Sequence, residues 1–186
     1  MLKKYAIALT LITLFVGCQT EKKENPFLIT NQSVGVLTDS TEVKDLERLF
    51  FNDSIVRYVG GDEFTGNIND IEIYETSGNL LMVLTPFEAL DSTSTIKTIR
   101  IADPRFKTSE GLNKNSIIKD IIAKHKISNV QNTLSNLIVS LEKSNVYFII
   151  DKKELPPEMR YDMNLKIDPI QIPDQAKIKH FMVSWY

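Results

Sequence analysis

Cys18 is the only cysteine of the 186-residue chain, and its thiol is the side chain whose chemistry the sequence indicates most directly. A single cysteine cannot close an intramolecular disulfide, so its thiol is available for another reaction. The two histidines, His125 and His180, have no cysteine or carboxylate partners at the spacing of zinc ligands. No nucleophile elbow, P-loop or dinucleotide fingerprint occurs in the chain. We therefore predict no catalytic residue, no metal site and no cofactor.

The residues before Cys18 predict export. Lys3 and Lys4 precede an uncharged run over 5–16, which is shorter than the about 20 residues of a transmembrane helix but fits a signal peptide. Phe15-Val16-Gly17-Cys18 resembles the lipobox of bacterial lipoproteins, with Phe15 where Leu is usual. The resemblance implies that residues 1–17 are removed and that the thiol of Cys18 carries lipid, such as palmitate, that anchors the chain. The alternative is an ordinary secretory signal.

The segment after the lipid site predicts a tether and a location. Residues 18–26 are polar and end in Pro26, as expected for a flexible link to a folded body. Gln19 replaces the Asp that retains many Gram-negative lipoproteins in the inner membrane, so the outer membrane is expected, on its periplasmic or surface face. Removal of residues 1–17 changes the net charge from −2 to about −4. That charge predicts no nucleic-acid partner.

Residues 27–186 are expected to form a single domain that contains two similar segments. Gly35 and Gly111 are each followed by a serine five residues later, and then by Asp with an aliphatic residue. Asp39 with Glu42 predicts a capping box, and Ser116 predicts a cap for a second helix. The apolar stripes of the two helices are Val43, Leu46, Leu49 and Phe50, and Ile117, Ile118, Ile121 and Ile122.

A hairpin is predicted after each helix. Residues 71–75 and 80–84 flank one turn, and residues 137–142 and 146–150 flank the other. Further strands are expected over 94–102 and 176–185. The predicted fold class is therefore α+β, with two helix-plus-antiparallel-hairpin units, at about 33–102 and 109–186, that share one core.

This arrangement resembles the tandem repeats of the β-lactamase inhibitor protein and of the SmpA/OmlA-type envelope lipoproteins. The resemblance covers about two dozen residues, and the closing glycine of those families is missing here. It implies a fold and a binding role. The matching residues are Gly35, Thr41, Val43 and Leu46 in the first segment, and Gly111, Ser116, Ile118 and Ile121 in the second.

Gly60-Gly61-Asp62-Glu63-Phe64 matches the signature of the diguanylate cyclases letter for letter. In that family the glycines approach GTP, and the acids help to hold magnesium. Only residues 27–59 precede the signature in the mature chain, too few for the upstream metal-binding strand of a cyclase. The expected export also separates the chain from cytoplasmic GTP. We therefore reject the cyclase interpretation and predict a glycine turn after a strand at 55–59.

Three cations mark a candidate interaction loop, Arg100, Arg105 and Lys107, which could bind an anion or could be a solvated connector. The hypothesis from the sequence is a membrane-anchored binding or interaction module whose partner is an envelope protein or a cell-wall component. The alternative is an envelope enzyme, such as a hydrolase, with a non-standard site.

Overall fold

A computed structural model describes residues 25–58 and 69–186. The predicted signal peptide, Cys18 and the Gly60–Phe64 signature lie outside the described residues. The elements of the first half are β1 (Leu28–Ile29), β2 (Ser33–Val34), β3 (Leu37–Thr38), a 3₁₀ turn (Val43–Asp45), α1 (Leu46–Leu49), β4 (Ser54–Arg57), β5 (Ile71–Tyr74), β6 (Leu80–Pro86) and β7 (Ile96–Ile101). Those of the second half are β8 (Lys107–Thr108), α2 (Ile118–Lys124), β9 (Ile127–Asn132), β10 (Asn136–Leu141), β11 (Val146–Asp151), three 3₁₀ turns (Lys152–Glu154, Pro157–Met159, Pro169–Gln171) and β12 (Ile178–Ser184).

Eight of the strands form one antiparallel sheet in the order β4-β5-β6-β7-β12-β11-β10-β9. Each half of the chain therefore contributes a four-stranded meander, and the two meanders join through their last strands, β7 and β12. A second sheet, in the order β3-β2-β1-β8, combines the start of the chain with the two-residue strand β8, which lies parallel to β1.

The predicted α+β class was wrong, because the protein is mostly β. The helix α1 has four residues and α2 has seven, and both predicted hairpins are parts of larger meanders. β9 was not expected from the sequence, since its residues are mostly polar and exposed at the sheet edge. A strand of this kind is stabilised by pairing with its neighbour. Its own composition therefore does not predict it. In the described part of the chain, no helix is long and apolar enough to cross a membrane.

The predicted helix caps also differ from those observed. Glu42 precedes the first helical turn without a side-chain cap, and Asp39 takes no part in one. The hydroxyl of Ser116 accepts a hydrogen bond from the Asn113 backbone N–H at 3.1 Å, which closes the turn before α2. The Asp120 carboxylate accepts from the Ile117 N–H at 3.0 Å.

The free N–H groups at the two helix starts are instead satisfied by backbone carbonyls of the loops before β7 and β12, in the same way in both halves. The first N–H of each helical segment donates to a carbonyl just before the last strand of its own meander, which docks the helix onto that meander. These bonds are Val43 to Ser94 at 3.0 Å and Ile118 to Ala176 at 3.0 Å. The second N–H of each helical segment donates to the same loops, from Lys44 to Ser92 at 2.8 Å and from Lys119 to Asp174 at 3.1 Å.

The helices and the small sheet pack on one face of the large sheet, where the buried side chains form one cluster. Leu46 and Ile121 are fully buried there, whereas Ile122, expected in the same stripe, is 39% exposed. The rings of Phe148 and Phe181 pack at 5.0 Å between centroids in the middle of this cluster. The apolar stripe of α2 is therefore narrower than predicted.

Candidate interaction surface

The second face of the large sheet carries a continuous row of side chains across all eight strands. We call this surface the open face. Strand register places one residue of each strand in the row: Val56, Glu72, Val83, Arg100, Met182, Tyr147, Ser140 and Asn129. A neighbouring row on β12, β11 and β10 contains His180, Ile149 and Ile138. Because side chains alternate between the faces of a strand, these residues point away from the core cluster.

Burial separates the two faces. On β11, Val146, Phe148 and Ile150 are buried in the core, whereas Tyr147 and Ile149 are half-buried. Val83 is only 3% exposed, yet it lies outside the core cluster, so its burial comes from neighbours on the open face. The centre of the open face is thus apolar and aromatic, with polar groups embedded in it.

Glu72 is an acidic group of the open face, and two tyrosine hydroxyls donate hydrogen bonds to its carboxylate. The hydroxyl of Tyr74 donates to Glu72 Oε2 at 2.6 Å, and that of Tyr58 donates to the same atom at 3.2 Å. The hydrogen bond to Glu72 raises the pKa of Tyr74, and the negative charge of Glu72 raises the pKa of Tyr58. The first half of the open face therefore holds a carboxylate that is already hydrogen-bonded.

Basic side chains lie near the centre of the open face. Arg100 is half-buried on β7, and His180 lies on the adjacent strand β12. Burial lowers the pKa of His180, and the positive charges of Arg100, Lys179 and Lys114 lower it further. His180 is therefore mainly neutral near neutral pH, and the neighbouring Lys179 is paired with Asp151 at 3.1 Å.

The structure does not bring Arg100, Arg105 and Lys107 together as one anion-binding loop. Arg105 donates to both oxygens of Asp103, at 2.7 Å from Nη2, and to Glu75 at 2.9 Å. These hydrogen bonds raise the pKa of Arg105. Its guanidinium also lies 4.5 Å from the ring centroid of Phe27, so its interactions are made within the chain. Lys107 is exposed on β8 in the small sheet. Of the three cations, only Arg100 belongs to the open face.

His125 lies at the other side of the molecule, at the end of α2. Its Nε2 atom is 3.4 Å from Glu110 Oε2, and both residues line a cavity of about 310 Å³ between the small sheet and the β10–β11 turn. Within residues 25–58 and 69–186, no group of three or more His, Cys, Asp or Glu residues is placed to hold a metal ion.

A groove of about 620 Å³ lies along the free edge of β9 and is closed on its far side by Lys166–Pro169. The amide of Asn132 ties this segment to the edge by donating to the carbonyls of Asp162 and Leu165, both at 2.9 Å. β9 contains neither a charged residue nor a proline, the features that commonly protect an edge strand from pairing with another chain.

Sequence reasoning missed most residues of the open face. Tyr147, Ile149 and Met182 were included in predicted strands, but nothing in those strands distinguished the covered face from the open one. A signal was present in β11, where Val146-Tyr147-Phe148-Ile149-Ile150 is apolar at every position. A strand that is apolar on both faces implies a second apolar surface.

Comparison with known proteins supports the fold and no more. No protein-family model matches the chain, and a comparison with curated proteins gives no match. The chain is similar to a solved structure described as that of the uncharacterized protein yfeY from Escherichia coli, with a TM-score of 0.53 and 16% sequence identity. The similarity covers 84% of this chain and 99% of that one. At this identity, the two proteins are shown to share a fold.

Proposed function

We propose that the chain is a lipid-anchored interaction module of the bacterial cell envelope, and that it binds an envelope protein through the open face. The observation that carries the proposal is the composition of that face on the central strands, where Arg100 lies between Val83 and Met182 and the half-buried side chains of Tyr147 and Ile149 follow on β11. Contiguous apolar surface of this kind marks interaction sites, and Tyr, Met and Arg are enriched in the centres of protein interfaces.

The proposed anchor limits where the partner can be. A tether over residues 18–26 spans at most about 30 Å when fully extended. Two or more acyl chains on Cys18 would hold the chain stably at a membrane, which one chain does not do. The partner therefore lies in the same membrane or close to its surface, and Gln19 favours the outer membrane.

The anchor is tested by Cys18→Ser in the full-length chain. We expect loss of metabolic palmitate labelling and movement of the protein from the membrane fraction to the soluble fraction or to an uncleaved precursor. Labelling that is unchanged by the substitution would contradict the anchor.

Binding through the open face is tested by site-specific photo-crosslinking in cells. A benzophenone amino acid replaces Tyr147 on the open face in one variant, and Tyr161, 85% exposed in the loop after β11, in the control. We expect a discrete protein adduct from position 147 and none of the same mass from position 161. Absence of an adduct from position 147 would overturn the proposed function.

A further inference from the structure

Arg100 is the arginine whose guanidinium has no partner among the described residues. All five arginines of the chain lie in the described part. Arg48, Arg57 and Arg105 form ion pairs with carboxylates, and Arg160 donates to two backbone carbonyl groups. Within residues 25–58 and 69–186, neither an ion pair nor a hydrogen bond of this kind involves the guanidinium of Arg100. Arg100 therefore differs from the other four arginines, because none of the N–H groups of its guanidinium is bonded to a described residue.

Arg100 lies between apolar residues near the middle of the large sheet. β7 is one of the two strands that join the meanders, and Val83 and Met182 flank Arg100 on the neighbouring strands. The Arg100 side chain is half-buried there, and no carboxylate of the described residues pairs with its guanidinium. An anion placed against it would supply the missing acceptors.

The surroundings favour an anion for a second reason. The charged groups that act on His180 are Arg100 from β7, Lys179 from β12 and Lys114 from the loop before α2, and Lys179 is paired with Asp151 of β11 at 3.1 Å. Two acids of the same face are engaged within the chain, Glu72 by two tyrosine hydroxyls and Asp151 by Lys179. Arg100 is therefore a cation near the centre of the open face whose charge no carboxylate of the described residues offsets by an ion pair.

We propose that Arg100 receives a carboxylate from an acidic segment of a partner protein that docks on the open face. This inference rests on the proposed function and names the chemistry of its partner. A guanidinium matches a carboxylate through two parallel N–H···O bonds. Arginine and tyrosine in a desolvated centre are the residue types that dominate binding energy between proteins. The aromatic and thioether neighbours Tyr74, Tyr147 and Met182 thus favour a protein over a lipid headgroup or a free anion.

The test measures the adduct from position 147 in full-length chains that carry a second substitution. Arg100→Gln keeps the shape of a half-buried polar side chain and removes the charge, and Arg100→Lys keeps the charge without the two-pronged geometry. Arg48→Gln is the matched control, because Arg48 is an exposed arginine of α1 paired with Asp45. We expect about a tenfold or larger loss of adduct for Arg100→Gln, a smaller loss for Arg100→Lys and none for the control. Thermal unfolding of each variant verifies that it folds.

The partner side of the contact is tested by charge exchange. The crosslinked segment is mapped, its acidic residues are changed in turn to Arg, and each is combined with Arg100→Glu. We expect one pair to restore the adduct that either single substitution removes. An adduct that survives Arg100→Gln, a mapped segment without an acid, or an adduct with lipid alone would each overturn the inference. The first two outcomes leave the proposed function standing, whereas an adduct with lipid alone or no adduct at position 147 removes both.

His180 provides an independent readout. Each of the two histidines of the chain gives one Cε1–H signal that NMR can follow with pH, and His125 lies away from the open face. Saturation with a synthetic peptide of the mapped segment should raise the pKa of His180 and leave that of His125 unchanged, because the new carboxylate offsets the cations around His180. A peptide with amides in place of its acids should have no such effect. An unchanged pKa of His180 at saturation would place the carboxylate elsewhere and overturn the inference.

Discussion

The guanidinium of Arg105 holds the carboxylate of Asp103 with two of its nitrogens, Nη2 at 2.7 Å and Nε at 3.0 Å from Oδ2. The carboxylate also accepts the backbone N–H of Arg105 at 2.8 Å, and Asp103 is 8% exposed. The same arginine reaches Glu75 in the turn region of the β5–β6 hairpin. This pair therefore links the end of β7 to the hairpin before it.

Substitution of Arg105 is expected to destabilise the fold. Arg105→Ala leaves the buried carboxylate of Asp103 without its charged partner, which raises the free energy of the folded state. Arg105→Lys should give an intermediate loss, because an ammonium cannot donate in the two-pronged geometry. Urea unfolding at pH 7 measures the free energy of unfolding of both variants. Equal stability of the two variants and the unsubstituted chain would contradict this role.

The contribution of this pair should depend on pH with a defined sign. The hydrogen bonds from Arg105 lower the pKa of Asp103 in the folded state below its ordinary value of 3.8. Stabilisation from this group is therefore present above that value and is lost as the pH falls through the folded pKa. We expect the difference in unfolding free energy between the unsubstituted chain and Arg105→Ala to shrink from pH 5 to pH 2. A difference that grows on acidification would show the opposite linkage.

Leu46 and Ile121 should be equally sensitive to truncation. Both are fully buried, and each has a carbonyl that accepts the closing N–H of its helix at 2.8 Å, from Phe50 and from His125. Leu46→Ala and Ile121→Ala should each reduce the unfolding free energy by about 2–5 kcal/mol. Ile122→Ala, one residue further along α2 and 39% exposed, is the control and should cost less than either. A large loss at Ile122 would place α2 in a different rotation.

Glycine substitutions should separate two kinds of constraint. Gly35 and Gly111 both have positive φ, at 58° and 81°, so a side chain strains either position. A Cβ at Gly35 would also clash with the carbonyl oxygen of Pro26, whereas at Gly111 it would meet nothing closer than Lys124 Nζ at 3.8 Å. We therefore expect Gly35→Ala to lower the melting temperature more than Gly111→Ala. The reverse order would contradict the packing of residue 26 against the turn.

The Gly60–Phe64 signature should be inactive as a cyclase. Purified full-length protein incubated with GTP and magnesium should form no cyclic diguanylate, and Asp62→Ala with Glu63→Ala should cost less than about 1 kcal/mol of stability. Chromatography of the reaction measures the product. Formation of cyclic diguanylate that is lost in Glu63→Ala would reverse the rejection of this activity.

The two hairpins could be predicted because their signals are local. Gly78 at φ 86° and Lys143 at φ 56° lie in the turns between strands whose apolar residues alternate or run continuously. Helix content was overestimated because the apolar stripe is also a local signal, and it does not fix the length of the helix. The stripe from Val43 to Phe50 fits a helix over its whole length, but the structure uses a 3₁₀ turn and a single α-helical turn before β4 begins at Ser54. A short apolar stripe reports which side faces the core and not how far the helix continues.

Arg100 is an example of which properties follow from the order of the residues and which require the folded chain. The sequence shows an arginine in a strand with alternating polar and apolar residues, so Ile99 and Ile101 share one face and Arg100 takes the other. The predicted export segment and the single cysteine likewise depend on contiguous residues alone. The pairing of β7 with β12, which belong to different halves of the chain, decides that Arg100 lies at the centre of the large sheet between Val83 and Met182. Packing of α1, α2 and the small sheet on the opposite side then decides which face is buried and which stays open. Alternation along a strand sets which side chains share a face, but long-range pairing and packing determine which of the two faces is left for a partner.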